Sequence, residues 1–281
     1  MRRFWPLFFL AWPIIAIVWS AYAPYCGWWF HMPAQSPLGQ EIDNLFYLIL
    51  IIVTTVFIGT NLALVYALWK FSSDKPGEKG TFSHGSHILE MVWTVAPAGV
   101  LLFISLYQMD VWARFRMIKT FDKQAVAQPL AEVTARQFEW RIRYPGPDRK
   151  FKNKTEVDNW LKHPEPDDVY TVNDLHCPAN RPVLIHLRSE DVLHSFFIPD
   201  LRIKQDAVPG LVIPVWFEAS KQNKYDLICA ELCGWGHYKM KGRISAESDA
   251  DFAKYLRELA RHQADDGVAA KVEQKEGESH Q

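Results

Sequence analysis

The chain has 281 residues, of which 49% are hydrophobic and 22% charged, with a formal net charge of −1 at pH 7. That balance excludes the basic footprint of a nucleic-acid binder, and no nucleic-acid partner is expected. The averages hide a division: apolar residues crowd the first 110 positions and charges lie mostly beyond, the pattern of a membrane anchor followed by a water-soluble domain.

The run WPLFFLAWPIIAIVWSAYA follows Arg2 and Arg3, giving the basic start and apolar stretch that signal peptides and first spans share. Residues 1–23 are therefore a signal peptide or an additional transmembrane span. A cut after Ala23 would leave Pro24 at the new terminus, which disfavours cleavage and favours the span. Residues 44–69 run 26 positions without a charge, enough to cross about 30 Å of hydrocarbon with some tilt. Between Glu90 and Asp110 lie 19 more uncharged positions, with Pro97 a breaker that membrane helices tolerate. Residues 43–110 thus predict a transmembrane helical hairpin. Residues 21–43 hold no Lys or Arg, whereas Lys70, Lys75 and Lys79 fill the loop between the spans. The positive-inside rule puts that loop in the cytoplasm and the following domain on the external side, periplasmic or intermembrane. Arg114, Arg116 and Lys119 run against this, but large domains cross largely regardless of charge.

From about residue 128 the pattern turns to short β-rich runs separated by Pro, Gly and Asn. In FEWRIRY, Phe138, Trp140, Ile142 and Tyr144 alternate with polar neighbours, the period of a half-buried strand. Further strands are predicted at 169–172, 182–188, 192–198, 213–219, 225–230 and 241–246. Seven short strands with turns between them predict an all-β sandwich over 128–247. The polar insertion 145–168 carries DNWLKH, a short helix. Residues 248–262 place Phe252, Leu256 and Leu259 on one helical face behind Ser248 as N-cap. The tail 263–281 is charged and small, the composition of disorder. No internal repeat is visible.

The stretch CAELCGWGHYKM, residues 229–240, holds the chemistry: Cys229, Cys233, His237 and Met240 are soft or borderline donors. Tetrahedral zinc is the simplest occupant, but zinc sites rarely use Met. A mononuclear blue-copper site uses one Cys, two His and a weak axial Met, leaving the second Cys without a role. Two copper ions bridged by both thiolates use every donor and require a second His from a neighbouring strand. His194 in DVLHSFFIP is the leading candidate; His186 and His176 read as structural. Cys177 reads as a small core residue, and Cys26, at the outer membrane edge, has no reason to pair with it.

The blocks SEDVLHSFFIPDLRIKQDAVPG and CAELCGWGHYKM resemble subunit II of haem-copper cytochrome c oxidase, whose copper motif is C-x-E-x-C-x3-H-x2-M with an upstream His. The resemblance runs from residue 43 to about 247. It implies a membrane-anchored all-β protein: helices followed by a cupredoxin-like Greek-key β-sandwich. By the same resemblance the domain accepts electrons from cytochrome c or a similar soluble donor at a binuclear CuA centre. It passes them to haem in the catalytic subunit I of the oxidase, for proton-translocating oxygen reduction in company with the other subunits. Cys229 and Cys233 would bridge the coppers, His194 and His237 would bind one each, and Met240 and the Glu231 carbonyl would be axial. The Glu231 side chain would reach a magnesium shared with the catalytic subunit. The family's aromatic entrance for the electron falls on Phe138, where a Trp is usual, so Trp140 and Trp235 join Phe138 as candidates. Glu90, in HILEMVWTVAP, matches an acid at the cytoplasmic mouth of a proton pathway. Asp191, Glu190 and Asp206 match acidic positions that would attract a basic donor. The chain holds no haem ligand set and no site for oxygen reduction of its own. A CuA subunit of a nitric oxide reductase and a membrane-anchored copper carrier are the alternatives.

Overall fold

A computed structural model of the chain describes residues 4–28, 32–71, 80, 82, 84–146 and 150–266. Lys75, Lys79 and the expected tail beyond 266 lie outside them. The chain divides into two compact units, one of residues 1–33 and 42–110, the other of residues 34–41 and 111–281.

The first unit is helical. Three helices are long and apolar enough to cross a membrane: Phe4–Cys26, Pro37–Phe71 and His87–Arg116. The first contains α1 (Phe4–Tyr22), which carries Pro13, and ends in a 3-10 turn at Ala23–Cys26. The second is α2 (Pro37–Phe71). It starts seven residues before the uncharged run because its first turns belong to the second unit, where Ser36 Oγ caps it by accepting from Gly39 N at 2.9 Å. The third is α3 (His87–Tyr107), whose N-cap Ser86 accepts from Leu89 N at 3.4 Å, followed by the short α4 (Met109–Arg116).

The second unit is a β-sandwich entered through α5 (Lys123–Ala127). Its elements in chain order are β1 (Ala131–Arg136), β2 (Glu139–Tyr144), α6 (Lys154–Lys162), β3 (Val169–Val172), β4 (Asp174–Pro178), β5 (Val183–Ser189), β6 (His194–Ile198), β7 (Ile203–Ala207), β8 (Ile213–Phe217), β9 (Asn223–Cys229), β10 (Lys241–Glu247) and α7 (Asp249–Asp266). One sheet has the order β3-β2-β1-β5-β8, the other β4-β10-β9-β6-β7. β1 runs parallel to β5 and β10 parallel to β4, while the remaining pairs are antiparallel, so the chain crosses repeatedly between sheets in the cupredoxin manner.

All seven predicted strands are present, and β1, β4 and β7 are additional. β1 (AEVTAR) alternates only with small apolar residues, and β4 (DLHCP) alternates over four positions, too few to stand out from their surroundings. β4 and β7 are the two edges of one sheet, and β7 (IKQDA) exposes or half-exposes its middle three residues. β1 is central and buries Glu132, which an apolar alternation cannot anticipate. The helix predicted to end at 262 continues to Asp266, because Gln263 Nε2 donates to the Tyr170 carbonyl at 2.5 Å and ties that turn to β3.

Between the sheets Trp140, Tyr144, Leu175, Leu187, Phe196, Tyr225 and Leu227 are buried to within 1%. Each large apolar side chain so placed contributes roughly 1.5–3 kcal/mol. His176 Nε2 lies 3.2 Å from Asp174 and Nδ1 3.1 Å from Glu247, and its ring stacks on Tyr255 of α7 at 3.6 Å. His186 sits in register between Glu132 and Pro214, and burial pushes its pKa down to about 4, keeping it neutral. His176 is thus engaged by its neighbours within the sandwich. Cys177 is fully buried, its thiol pushed up to about 12 by burial, and neither it nor Cys26 forms a disulfide.

The polar insertion is held by charge. Arg143 on β2 donates to Glu132 on β1, to Asp168 at 2.8 Å and to the Trp160 carbonyl at 3.0 Å, with its guanidinium 4.4 Å from the Trp160 ring. All three ionised side chains are at most 7% exposed. Replacing Arg143 with Met would leave the buried Asp168 without its cation and Glu132 with Arg188 alone, and a loss of about 3–5 kcal/mol is expected in thermal unfolding of the detergent-solubilised protein. A loss under about 1 kcal/mol would refute this account.

Candidate metal centre

The centre is built where β6 and β9 pair. Phe196 lies opposite Cys229, and Ala230 N donates to the Ser195 carbonyl at 3.0 Å, which sets His194 at the start of β6 beside Cys229 at the end of β9. The following loop, 230–240, leaves the ladder and returns to it. Cys229 N donates to the Met240 carbonyl at 3.1 Å, closing the loop at its base, and a 3-10 turn at His237–Lys239 brings both terminal donors inward.

The donor atoms fall into two halves. Cys229 Sγ is 3.9 Å from His194 Nδ1 and 3.2 Å from the Glu231 carbonyl. Cys233 Sγ is 3.6 Å from His237 Nδ1 and 3.9 Å from Met240 Sδ. The two sulfurs are 3.9 Å apart. Donors at ordinary bond lengths around one tetrahedral ion stand about 3.5–3.8 Å apart, so these separations fit a bound metal with little adjustment. Met240, Cys229, Cys233 and His194 are buried.

Electrostatics point the same way. Burial alone would raise Cys229, but hydrogen bonds from His194, Ser195, Glu231 and His237 hold it down to about 6. Burial together with the charge of Cys229 pushes Cys233 up to about 12. Two buried thiolates this close repel, and a cation between them is what lets both ionise.

His194 is aimed from behind. Its Nε2 is 2.8 Å from Asp191 Oδ1, which leaves Nδ1 facing Cys229. Burial of Asp191 opposes ionisation, yet hydrogen bonds from Gln137 N, His194 and Val192 N hold its carboxyl below the usual range. The Gln137 side chain donates to the Cys233 carbonyl at 2.5 Å.

Comparison with known proteins decides the lineage. The profile of the cytochrome C oxidase subunit II periplasmic domain matches residues 131–247, and that of the subunit II transmembrane domain matches residues 26–111. The alternative cytochrome c oxidase subunit 2 of Bradyrhizobium diazoefficiens is 30% identical over 254 residues, covering 86% of this chain and 88% of that protein. The cytochrome c oxidase subunit 2 of Cereibacter sphaeroides is 28% identical over 245 residues, covering 80% and 78%. The chain belongs to the cytochrome c oxidase subunit II family. Among solved structures, the periplasmic domain of subunit II of cytochrome oxidase of Bradyrhizobium japonicum aligns with 48% of this chain and 96% of its own, at 22% identity and a TM-score of 0.39.

As a subunit II, the chain is the electron-input subunit of a haem-copper oxidase, a membrane protein with a C-terminal periplasmic domain, and its soft donor cluster is a copper site. The structure brings His194, Cys229, Glu231, Cys233, His237 and Met240 together and sorts the other candidates. Trp140 is fully buried, edge-on to His194 at 6.4 Å and to Phe196 at 5.6 Å, so it cannot touch a docked donor. Phe138 is half-buried under the ligand loop. A Cβ on Gly236 would come within 2.5 Å of its ring and one on Gly234 within 3.2 Å, so both glycines are required for the loop to lie on it. Trp235 packs on Phe138 at 5.4 Å and is 76% exposed.

The acidic candidates are engaged internally. Asp191 is occupied by His194 and Gln137, and Asp206 by Ser195 at 2.7 Å and Lys204 at 2.9 Å. Glu190 lies 4.0 Å from Arg136 and 3.7 Å from Arg141. These partners hold the three carboxylates in place around the ligand loop. Glu90 sits in the first turn of α3, half-exposed, with His87 Nδ1 at 3.5 Å. Sequence reasoning missed Gln137, which had no signal beyond its place next to Phe138. It also missed the positioning role of Asp191, which the Asp-x2-His spacing could have disclosed. Removing an outer partner of a metal-binding His typically lowers metal affinity 10–100-fold. Asp191→Asn is therefore expected to lose copper to a competing chelator about 10–100-fold more readily with its fold intact, and unchanged retention would rule out the positioning role.

Proposed function

We propose that the copper site is a binuclear CuA centre, with Cys229 and Cys233 bridging, His194 and the Glu231 carbonyl completing one half, and His237 and Met240 the other. The observation that carries this reading is the pairing of each cysteine with its own histidine and its own weak donor. Copper held there supplies a one-electron couple whose charge is spread over both thiolates. The protein's part is to keep the donors still: Asp191 fixes the His194 ring, the loop is closed by Cys229 N and the Met240 carbonyl, and buried Met240 keeps water from that side. Donors that need not move between oxidation states keep the reorganisation on electron transfer small.

In this reading the electron arrives at Trp235 from cytochrome c or a similar soluble donor and leaves for haem in the catalytic subunit. Glu231, half-buried in the ligand loop, contributes its side chain to a magnesium held mainly by that subunit, since one carboxylate alone cannot satisfy the octahedral demand of the ion. Glu90 stands at the cytoplasmic mouth of a proton pathway into the same partner. The three apolar helices are spans, and the copper domain faces the external side, as Lys70 and the Lys-free 21–43 segment favour.

Metal analysis with electron spin resonance tests the centre: two coppers per chain sharing one unpaired electron are expected, and a single copper or a zinc ends the proposal. For the route, Trp235→Phe is expected to slow reduction by a protein donor with the copper spectrum unchanged. A wild-type rate would remove Trp235 from the path.

A further inference from the structure

α7 begins at Asp249, just past residue 247, where the match to the subunit II periplasmic profile ends. It packs on β3 and β4, an edge strand of each sheet, and so covers the seam between them. Phe252, Tyr255, Leu256 and Leu259 rest on the core, and Gln263 exchanges two hydrogen bonds with the Tyr170 backbone. At the middle of this contact the His176 ring lies flat on Tyr255, 3.6 Å away with 5° between the planes. Its Nε2 is 3.2 Å from Asp174 on β4, and its Nδ1 is 3.1 Å from Glu247 on the neighbouring β10. Both ring nitrogens therefore face carboxylate oxygens, which suits only the imidazolium, since a neutral ring turns one lone pair on an anion. Nδ1 is buried and out of line for a hydrogen bond to Glu247, so that contact rests on charge.

The other groups around the ring are held in one charge state. From β2, the Tyr144 hydroxyl accepts from His176 N at 2.6 Å and donates to the His176 carbonyl at 3.1 Å, and from α7 the Tyr255 hydroxyl meets Thr171 of β3. Burial pushes Tyr255 up to about 12 and Tyr144 well above its ordinary value, and it pushes the adjacent Cys177 thiol to about 12. The hydrogen bond with His176 holds Asp174 below the usual carboxylate range against burial, with help from Lys224 of β9 and Arg243 of β10. His176 is thus the member of the cluster whose charge changes around neutral pH.

We propose that α7 is a clasp closed by protonated His176: the imidazolium ties Asp174, Glu247 and Tyr255 together, and loss of its proton loosens the helix from the seam between β3 and β4. Burial opposes the charge on His176, yet Asp174 and Glu247 outweigh it and raise the histidine above its ordinary value. The stabilisation is then complete below about pH 6.5 and is lost as pH climbs through the raised folded-state value. Two effects act together on deprotonation: the two carboxylates repel across an uncharged ring, and Tyr255 loses the cation on its face. Phe252, Leu256 and Leu259 keep their apolar contacts, so the helix loosens without unfolding. Because the domain is periplasmic, the acidity that sets the clasp is that of the outer compartment.

Hydrogen exchange on the purified oxidase containing the full chain, at about pH 6 and about pH 9 and corrected for the intrinsic base dependence of exchange, reads the opening of α7. Amides from Phe252 to Gln263 are expected to open about threefold or more readily at the higher pH, while those of β5 and β6 hold. His176→Gln, uncharged at both values, should show the looser helix at both. Tyr255→Phe keeps the stack and should keep the response, whereas Tyr255→Leu should lose it. Asp174→Asn leaves the ring in place and should shrink the response, which keeps the proposal testable if His176→Gln disturbs β4. Equal opening of α7 at the two pH values in the unaltered chain, or an undiminished response in both His176→Gln and Asp174→Asn, overturns the proposal.

Discussion

The carboxylate of Asp191 joins the pieces on which the copper site depends. One oxygen is 2.8 Å from His194 Nε2, and the other accepts from Gln137 N, also at 2.8 Å. Gln137 in turn reaches the Cys233 carbonyl. Through these bonds the β1–β2 turn, the β5–β6 loop and the ligand loop become one object. The acid is partly exposed, at 30%, yet its hydrogen bonds keep it ionised against the cost of burial. An ionised Asp191 makes Nε2 the donor, so Nδ1 is the nitrogen left to face Cys229.

Why a sandwich serves such a site follows from its topology. β6 and β9 are neighbours in one sheet although they lie far apart in sequence, so a histidine at the start of one strand and a cysteine at the end of the other meet without a long flexible connection. The opposing sheet closes the bottom of the site with Trp140, which fills the space between His194 and Phe196. The ligands are therefore mounted on ladder ends braced by a dry core, and only the tip of the loop remains in water. The Arg143 network does comparable work for the insertion between β2 and β3, which has too few apolar residues to hold itself down. Three buried ionised groups satisfy one another there, and Trp160 covers them.

Sequence alone reveals the anchor, the sandwich and the donor set, each for a physical reason. Uncharged runs report hydrocarbon thickness, alternation reports strands with one face in the core, and a Cys-x3-Cys-x3-His-x2-Met spacing leaves few metals to choose from. It is blind where a residue's role depends on a partner distant in the chain. β7 reads as a polar segment because its strand character comes from pairing with β6. Glu132 reads as a surface acid because Arg143 and Arg188, which neutralise it, lie on other strands. The charges of Asp191, Glu190 and Asp206 are visible in sequence and their partners are not. The same limit hides Gln137, whose two bonds run to residues 54 and 96 positions away.

The departure at Phe138 then acquires a physical meaning. The ring beneath Gly234 and Gly236 leaves little room, since even a Cβ on Gly236 would come within 2.5 Å of it. Phe fits that slot, and an indole would need the loop to rise away from the β1–β2 turn and loosen the Gln137 bond to the Cys233 carbonyl. The larger aromatic is carried instead by the loop itself. Trp235 rests its edge on Phe138, keeps three quarters of its surface in solvent and lies one residue from the turn that bears His237. The Lys239 ammonium stands 4.3 Å from the centroid of the same ring.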